Sequence, residues 1–78
     1  MKFTQYFLST RLRDDRKDIA LTWIESVVNH PEHEIVQADG RIRRWGKVAQ
    51  AEGRFLRVVL LPDGQTVHNA FFDRGFRS

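Results

Sequence analysis

The sequence predicts an α+β fold: an N-terminal strand, then one short and one longer helix packed on a four- or five-stranded, mainly antiparallel β-meander. Three observations predict it. An apolar stripe recurs at helical spacing between positions 19 and 29. Strong turn signals stand at Asp39-Gly40 and Pro62-Asp63-Gly64. Between and around those turns, apolar and basic residues alternate as they do along half-buried strands. A helix with one apolar stripe and a sheet with one apolar face bury each other, giving one helical layer on one sheet.

Each element has its own signal. Phe3 to Leu8 is rich in aromatics and alternates, which reads as a first strand. Ser9 and Thr10 offer an N-cap for a short charged helix over Arg11–Arg16, where Arg11–Asp15 and Asp14–Lys17 stand at helical ion-pair spacings. Asp18 caps a longer helix, Ile19–Asn29. There Ile19, Trp23 and Val27 form one row and Ala20, Ile24 and Val28 the next, and Pro31 ends it. Four strands follow: His33–Ala38, Arg41–Ala49, Arg54–Leu61 and Gln65–Phe72. Asp39-Gly40 predicts a two-residue type I′ hairpin, and Ala49 to Gly53 a longer connection. Two registers are open at Pro62-Asp63-Gly64. A three-residue loop pairs Leu61 with Gln65 and sets Arg57 opposite Asn69; a two-residue loop pairs Pro62 with Gln65 and sets Arg57 on the face of His68. Either register puts Arg57 beside one member of the His68-Asn69 pair.

Composition bounds the function. The chain of 78 residues reads as a single domain over positions 1–78, with enough apolar mass (41%) to fold. It has no cysteine, which excludes disulfides and thiolate metal sites. No apolar run approaches a membrane span, and Met1 to Leu8 is too short and polar for a secretory signal, so the expected compartment is the cytoplasm, with no membrane partner. Net charge is +3, and ten of the thirteen cations are arginine. Arginine presents a planar fork of donors suited to phosphate or carboxylate.

The candidate site lies on the meander. Arg43, Trp45 and Lys47 alternate onto one face of their strand, with Arg54, Arg57 and Asn69 as neighbouring polar positions. Together they form a candidate nucleic-acid-binding surface on which arginines hold phosphate and Trp45 stacks a base. His68 is the group able to move a proton near neutral pH, and Arg74 closes the last strand beside Asp73. The run His30-Pro31-Glu32-His33-Glu34 carries metal-type donors, but Pro31 forbids the helix that would converge two histidines. No metal and no cofactor are expected. No Gly-rich phosphate loop, nucleophile elbow or paired-carboxylate site is visible.

From Tyr6 to Phe76 the layout resembles the small bacterial toxins of the RelE/ParE superfamily, the BrnT-like branch in particular. The likeness lies in the short basic helix Thr10–Lys17, the junction Arg16-Lys17-Asp18-Ile19 opening the amphipathic helix, and Asn29-His30-Pro31 before the strands. It continues through the hairpin Gly40–Val48, the apolar strand Arg54–Leu61 and a closing strand ending in Asp73-Arg74. The resemblance implies a metal-independent ribonuclease of a toxin–antitoxin module, acting on RNA and neutralised by a small antitoxin protein. Arg57 and Arg74 would then hold phosphate, and His68 would transfer the proton. Related domains often carry a histidine just before the first basic helix, where this chain reads Leu8-Ser9-Thr10. Two other readings use the same surface: a non-catalytic nucleic-acid-binding module, and a protein-interaction domain or homodimer built on arginines and exposed aromatics.

Overall fold

The computed structural model describes residues 1–77. Its elements in chain order are β1 (Lys2–Phe3), α1 (Gln5–Thr10), α2 (Leu21–Asn29), β2 (His33–Val36), β3 (Ile42–Val48), a 3-10 turn (Ala49–Ala51), β4 (Arg54–Leu60) and β5 (Thr66–Phe72). The strands form one sheet of five in the order β1-β5-β4-β3-β2. Strands β2 to β5 are an antiparallel meander, and β1 joins β5 in parallel, so the α+β expectation holds with a mixed sheet. Among the described residues, no helix is long and apolar enough to cross a membrane.

The N-terminal segment differs from the expected strand. Only Lys2 and Phe3 pair with the sheet. Thr4 then takes an extended backbone, and its hydroxyl oxygen accepts from Phe7 N–H at 3.0 Å, starting a helix where alternation predicts a strand. Over so few residues the pattern fits both periods: Phe3 and Phe7 stack at 5.1 Å, and Phe7 and Thr10 are buried three apart. The charged helix expected over Arg11–Arg16 is a series of turns instead. Its one large apolar side chain, Leu12, is 83% exposed, so nothing buried offsets the cost of a short helix. Lys17 does reach Asp14 at 3.5 Å, while Asp15 lies near Arg16 instead of Arg11.

Helix α2 begins at Leu21, with Ala20 as a cap that makes no side-chain bond, so Asp18 does not cap it. Ile19 is buried just ahead of the helix, not within it. The predicted stripe holds: Ile24, Val27 and Val28 are buried with Phe7, Val48, Leu56, Val58, Leu60, Val67 and Ala70 in one core between the helices and one sheet face. Adding a Cβ to Gly46 would bring it to 2.9 Å from Val27 Cγ2, so glycine sets how closely α2 approaches β3. Arg44 turns to this side, donating from Nη1 to Val28 O at 2.7 Å, one of the otherwise unpaired carbonyls at the end of α2.

Both predicted hairpins form, with different loops. Val36 pairs with Ile42, Gln37 N–H donates to Arg41 O at 2.7 Å, and Gly40 N–H donates to Gln37 O at 2.9 Å. Gly40 alone in that turn has positive φ (91°), which excludes type I′ and gives a three-residue loop. At the last hairpin Leu61 N–H donates to Thr66 O, a four-residue loop over Pro62–Gln65. Pro62 has no N–H to close a tighter pair. Asp63 locks this loop, accepting from Gln65 N, Thr66 N and Thr66 Oγ1; the Thr66 hydroxyl bond leads in lowering its carboxyl to about 2.

Candidate anion-binding cleft

A β-bulge builds the site. Leu60 pairs with Val67, but the next pair is Val59 with Asn69, so His68 is an extra residue in β5. Next to the loop the register is the one that sets Pro62 opposite Gln65, but the bulge shifts it by one residue, so Arg57 lies opposite Phe71, with Trp45 on its other side. The slip places His68 and Asn69 together, and both line a cleft of about 490 Å³ on the sheet face away from the helices. Arg41, Arg43 and Arg57 also line it, with Tyr6 and Gln37 at its edges. Among the described residues, no carboxylate does.

Each charged side chain is held. Arg43 Nε donates to Gln37 Oε1 at 2.9 Å and has no carboxylate neighbour among the described ion pairs. Arg41 lies 3.7 Å from Asp39 in its own turn. The Arg57 guanidinium sits 5.1 Å from the centre of the Phe71 ring and 5.3 Å from that of Trp45. Its Nε is 3.2 Å from Asp73 Oδ2 but lacks the alignment of a hydrogen bond, leaving a close ion pair whose N–H has no acceptor.

His68 is fixed from two sides. Its Nδ1 lies 3.1 Å from Thr4 Oγ1, and Tyr6 stacks on its ring at 4.8 Å. Burial, helped by the nearby Arg41 charge, lowers its pKa from the usual histidine value and so favours the neutral imidazole. The sequence gives no local sign that Tyr6 belongs here. Tyr6 reaches His68 because β1 runs parallel to β5 and α1 starts directly after it.

The rest of the predicted surface disperses. Trp45 is only 3% exposed. Phe76 stacks on it at 4.9 Å and 17°, His33 and Phe55 close around Phe76, and Trp45 Nε1 donates to Asp73 Oδ2 at 2.9 Å. Trp45 is therefore the floor of a C-terminal strap and offers no face for a base. Arg54 lies on Phe72 at 4.1 Å, donates to Ala51 O, and lines a separate cleft of about 150 Å³ with Arg74. Lys47 sits over Phe55 and borders a groove beside α2. Of the expected residues, Arg43, Arg57, His68 and Asn69 converge; Trp45, Lys47, Arg54 and Arg74 do not line their cleft. In the metal-type run, Glu32 accepts from Lys47 N–H, Glu34 pairs with Arg44 and His33 packs on Phe76.

Searches against protein-family models, curated proteins and solved structures find no match to this chain, so the likeness to RelE/ParE toxins rests on the sequence pattern alone.

Proposed function

We propose that this chain binds RNA by its phosphates at the cleft of Arg41, Arg43 and Arg57. The observation that carries the reading is a concave surface lined by three guanidinium groups and an imidazole and, among the described residues, by no carboxylate. Guanidinium groups pair with phosphate oxygens in a geometry that needs no metal. The outer side of Tyr6, which is 47% exposed, is the surface left for a base to stack on once Phe76 has covered Trp45. Choice of RNA follows the toxin resemblance, which also implies a cytoplasmic setting. Arg43→Ala tests the reading cleanly, because among the described residues Arg43 pairs with no carboxylate whose charge would be left behind. A single-stranded RNA should bind wild type at low salt and lose about tenfold in affinity in the variant, measured by fluorescence anisotropy. No binding by wild type at low salt would sink the proposal.

A ribonuclease reading is favoured by one observation, the place of His68 in the cleft with three arginines, where burial and the Arg41 charge lower its pKa. It requires the tautomer in which Nδ1–H donates to Thr4 and Nε2 is bare. Nε2 would take the 2′-hydroxyl proton, the 2′-oxygen would attack phosphorus, and the bond to the 5′-oxygen would break, with that oxygen taking a proton from solvent water on leaving. The arginines would stabilise the charge developing on the phosphate oxygens. Arg74 has no part in this step because it lines a different cleft. As a toxin the chain would be held inactive by a small antitoxin. RNA incubated with the protein and a chelator should yield 2′,3′-cyclic phosphate ends, and His68→Ala should abolish them; uncut RNA with wild type leaves the binding reading alone.

A further inference from the structure

The two amides of the cleft have one orientation each. Arg43 Nε donates to Gln37 Oε1 at 2.9 Å, and Arg16 Nη1 donates to Asn69 Oδ1 at 2.8 Å. Ala70 N–H also donates to that Asn69 oxygen at 3.0 Å. A guanidinium can only donate, so both amide orientations are fixed: Asn69 Oδ1 already accepts two bonds, Gln37 Oε1 accepts one, and each NH₂ group is left to donate to a ligand. Arg41, Arg43 and Arg57 add donors only. Among the lining side chains, lone pairs remain on Gln37 Oε1, on the Tyr6 hydroxyl and on the His68 ring, where Nδ1 is already engaged by Thr4, so donors outnumber acceptors. A cleft built this way matches a ligand group with acceptors on several sides and no donors. Base edges and ribose hydroxyls also carry donors, and with few acceptors in the cleft any donor beyond those would go unpaired, at a cost.

Within the RNA reading, on which the inference rests, we propose that the cleft receives the terminal phosphate monoester of a strand, at its 5′ or 3′ end, in preference to an internal phosphodiester. An internal phosphate is flanked by two sugars and exposes two charged oxygens with one charge between them. A monoester exposes three acceptor oxygens and carries about −1.5 to −2 at pH 7. The donors come from different directions: Gln37 and Arg41 from the turn between β2 and β3, Arg43 and Arg57 from the central strands, and Asn69 from the bulge in β5. Such a set can surround three oxygens.

The experiment compares three otherwise identical hexanucleotide RNAs carrying an internal dye: one with a 5′-phosphate, one with a 3′-phosphate and one with hydroxyls at both ends. Anisotropy titrations at pH 7.5 should show at least a tenfold tighter complex for one phosphorylated end, and the two phosphorylated strands identify which. Gln37→Glu and Asn69→Asp, each checked for an unchanged thermal melt, place a carboxylate where an NH₂ stood and should reduce the preference to under about twofold. Equal affinity for all three strands overturns the inference and leaves the RNA reading standing. A preference that survives both variants overturns the role given to the amides. No binding of any strand at low salt removes the RNA reading, and this inference with it.

Discussion

At the residue scale, His68 shows how position outweighs residue type. Its imidazole is partly desolvated and faces the Arg41 charge, and both disfavour the protonated form. A histidine with a folded pKa below its unfolded value contributes stability above the unfolded pKa and loses it as pH falls toward the folded value. An NMR titration should therefore place the His68 midpoint below 6.5, and Arg41→Ala should raise it. A midpoint at or above 6.5 would contradict the burial and charge described at the bulge. Arg57 shows the same lesson differently. It was legible in the sequence as a strand arginine, but its carboxylate partner Asp73 and its two aromatic neighbours were not, because they come from β3, from β5 and from beyond β5.

At the element scale, the C-terminal strap and the contact between α2 and β3 are the features most open to test. Asp73 joins Trp45 Nε1 and Arg57 through one carboxylate, and its pKa is lowered first by the Trp45 bond, with burial opposing and Arg57 assisting. Asp73→Asn can keep an acceptor for Trp45 while removing the charge beside Arg57, so anion binding at the cleft should tighten with little change in Trp45 emission. Phe76→Ala should instead uncover Trp45, shifting its fluorescence to the red and costing about 2 kcal/mol in denaturant unfolding, since Phe76 is only partly buried. Unchanged emission would mean that the strap does not cover Trp45 in solution. Gly46→Ala forces a methyl against Val27 and should cost roughly 1–3 kcal/mol. A neutral result would show that α2 moves away freely.

At the scale of the whole molecule, a net charge of +3 is a weak field, so binding should depend on local convergence and not on overall charge. As the arginines neutralise phosphate charge and release counterions from a single strand, log affinity should fall linearly as log salt rises. A slope near zero would count against phosphate as the group recognised. The sequence by itself determined the α+β class, the amphipathic helix, the four meander strands to within two residues at each end, and the arginine enrichment. These depend on periodicity, proline and glycine, which act locally. Only the tertiary structure decided which arginines meet. The bulge at His68 reset the register, parallel pairing of β1 brought Tyr6 to His68, and the strap closed over Trp45. Register and long-range pairing are fixed by burying a shared core, so residues far apart in the chain carry no local mark of the neighbours they acquire.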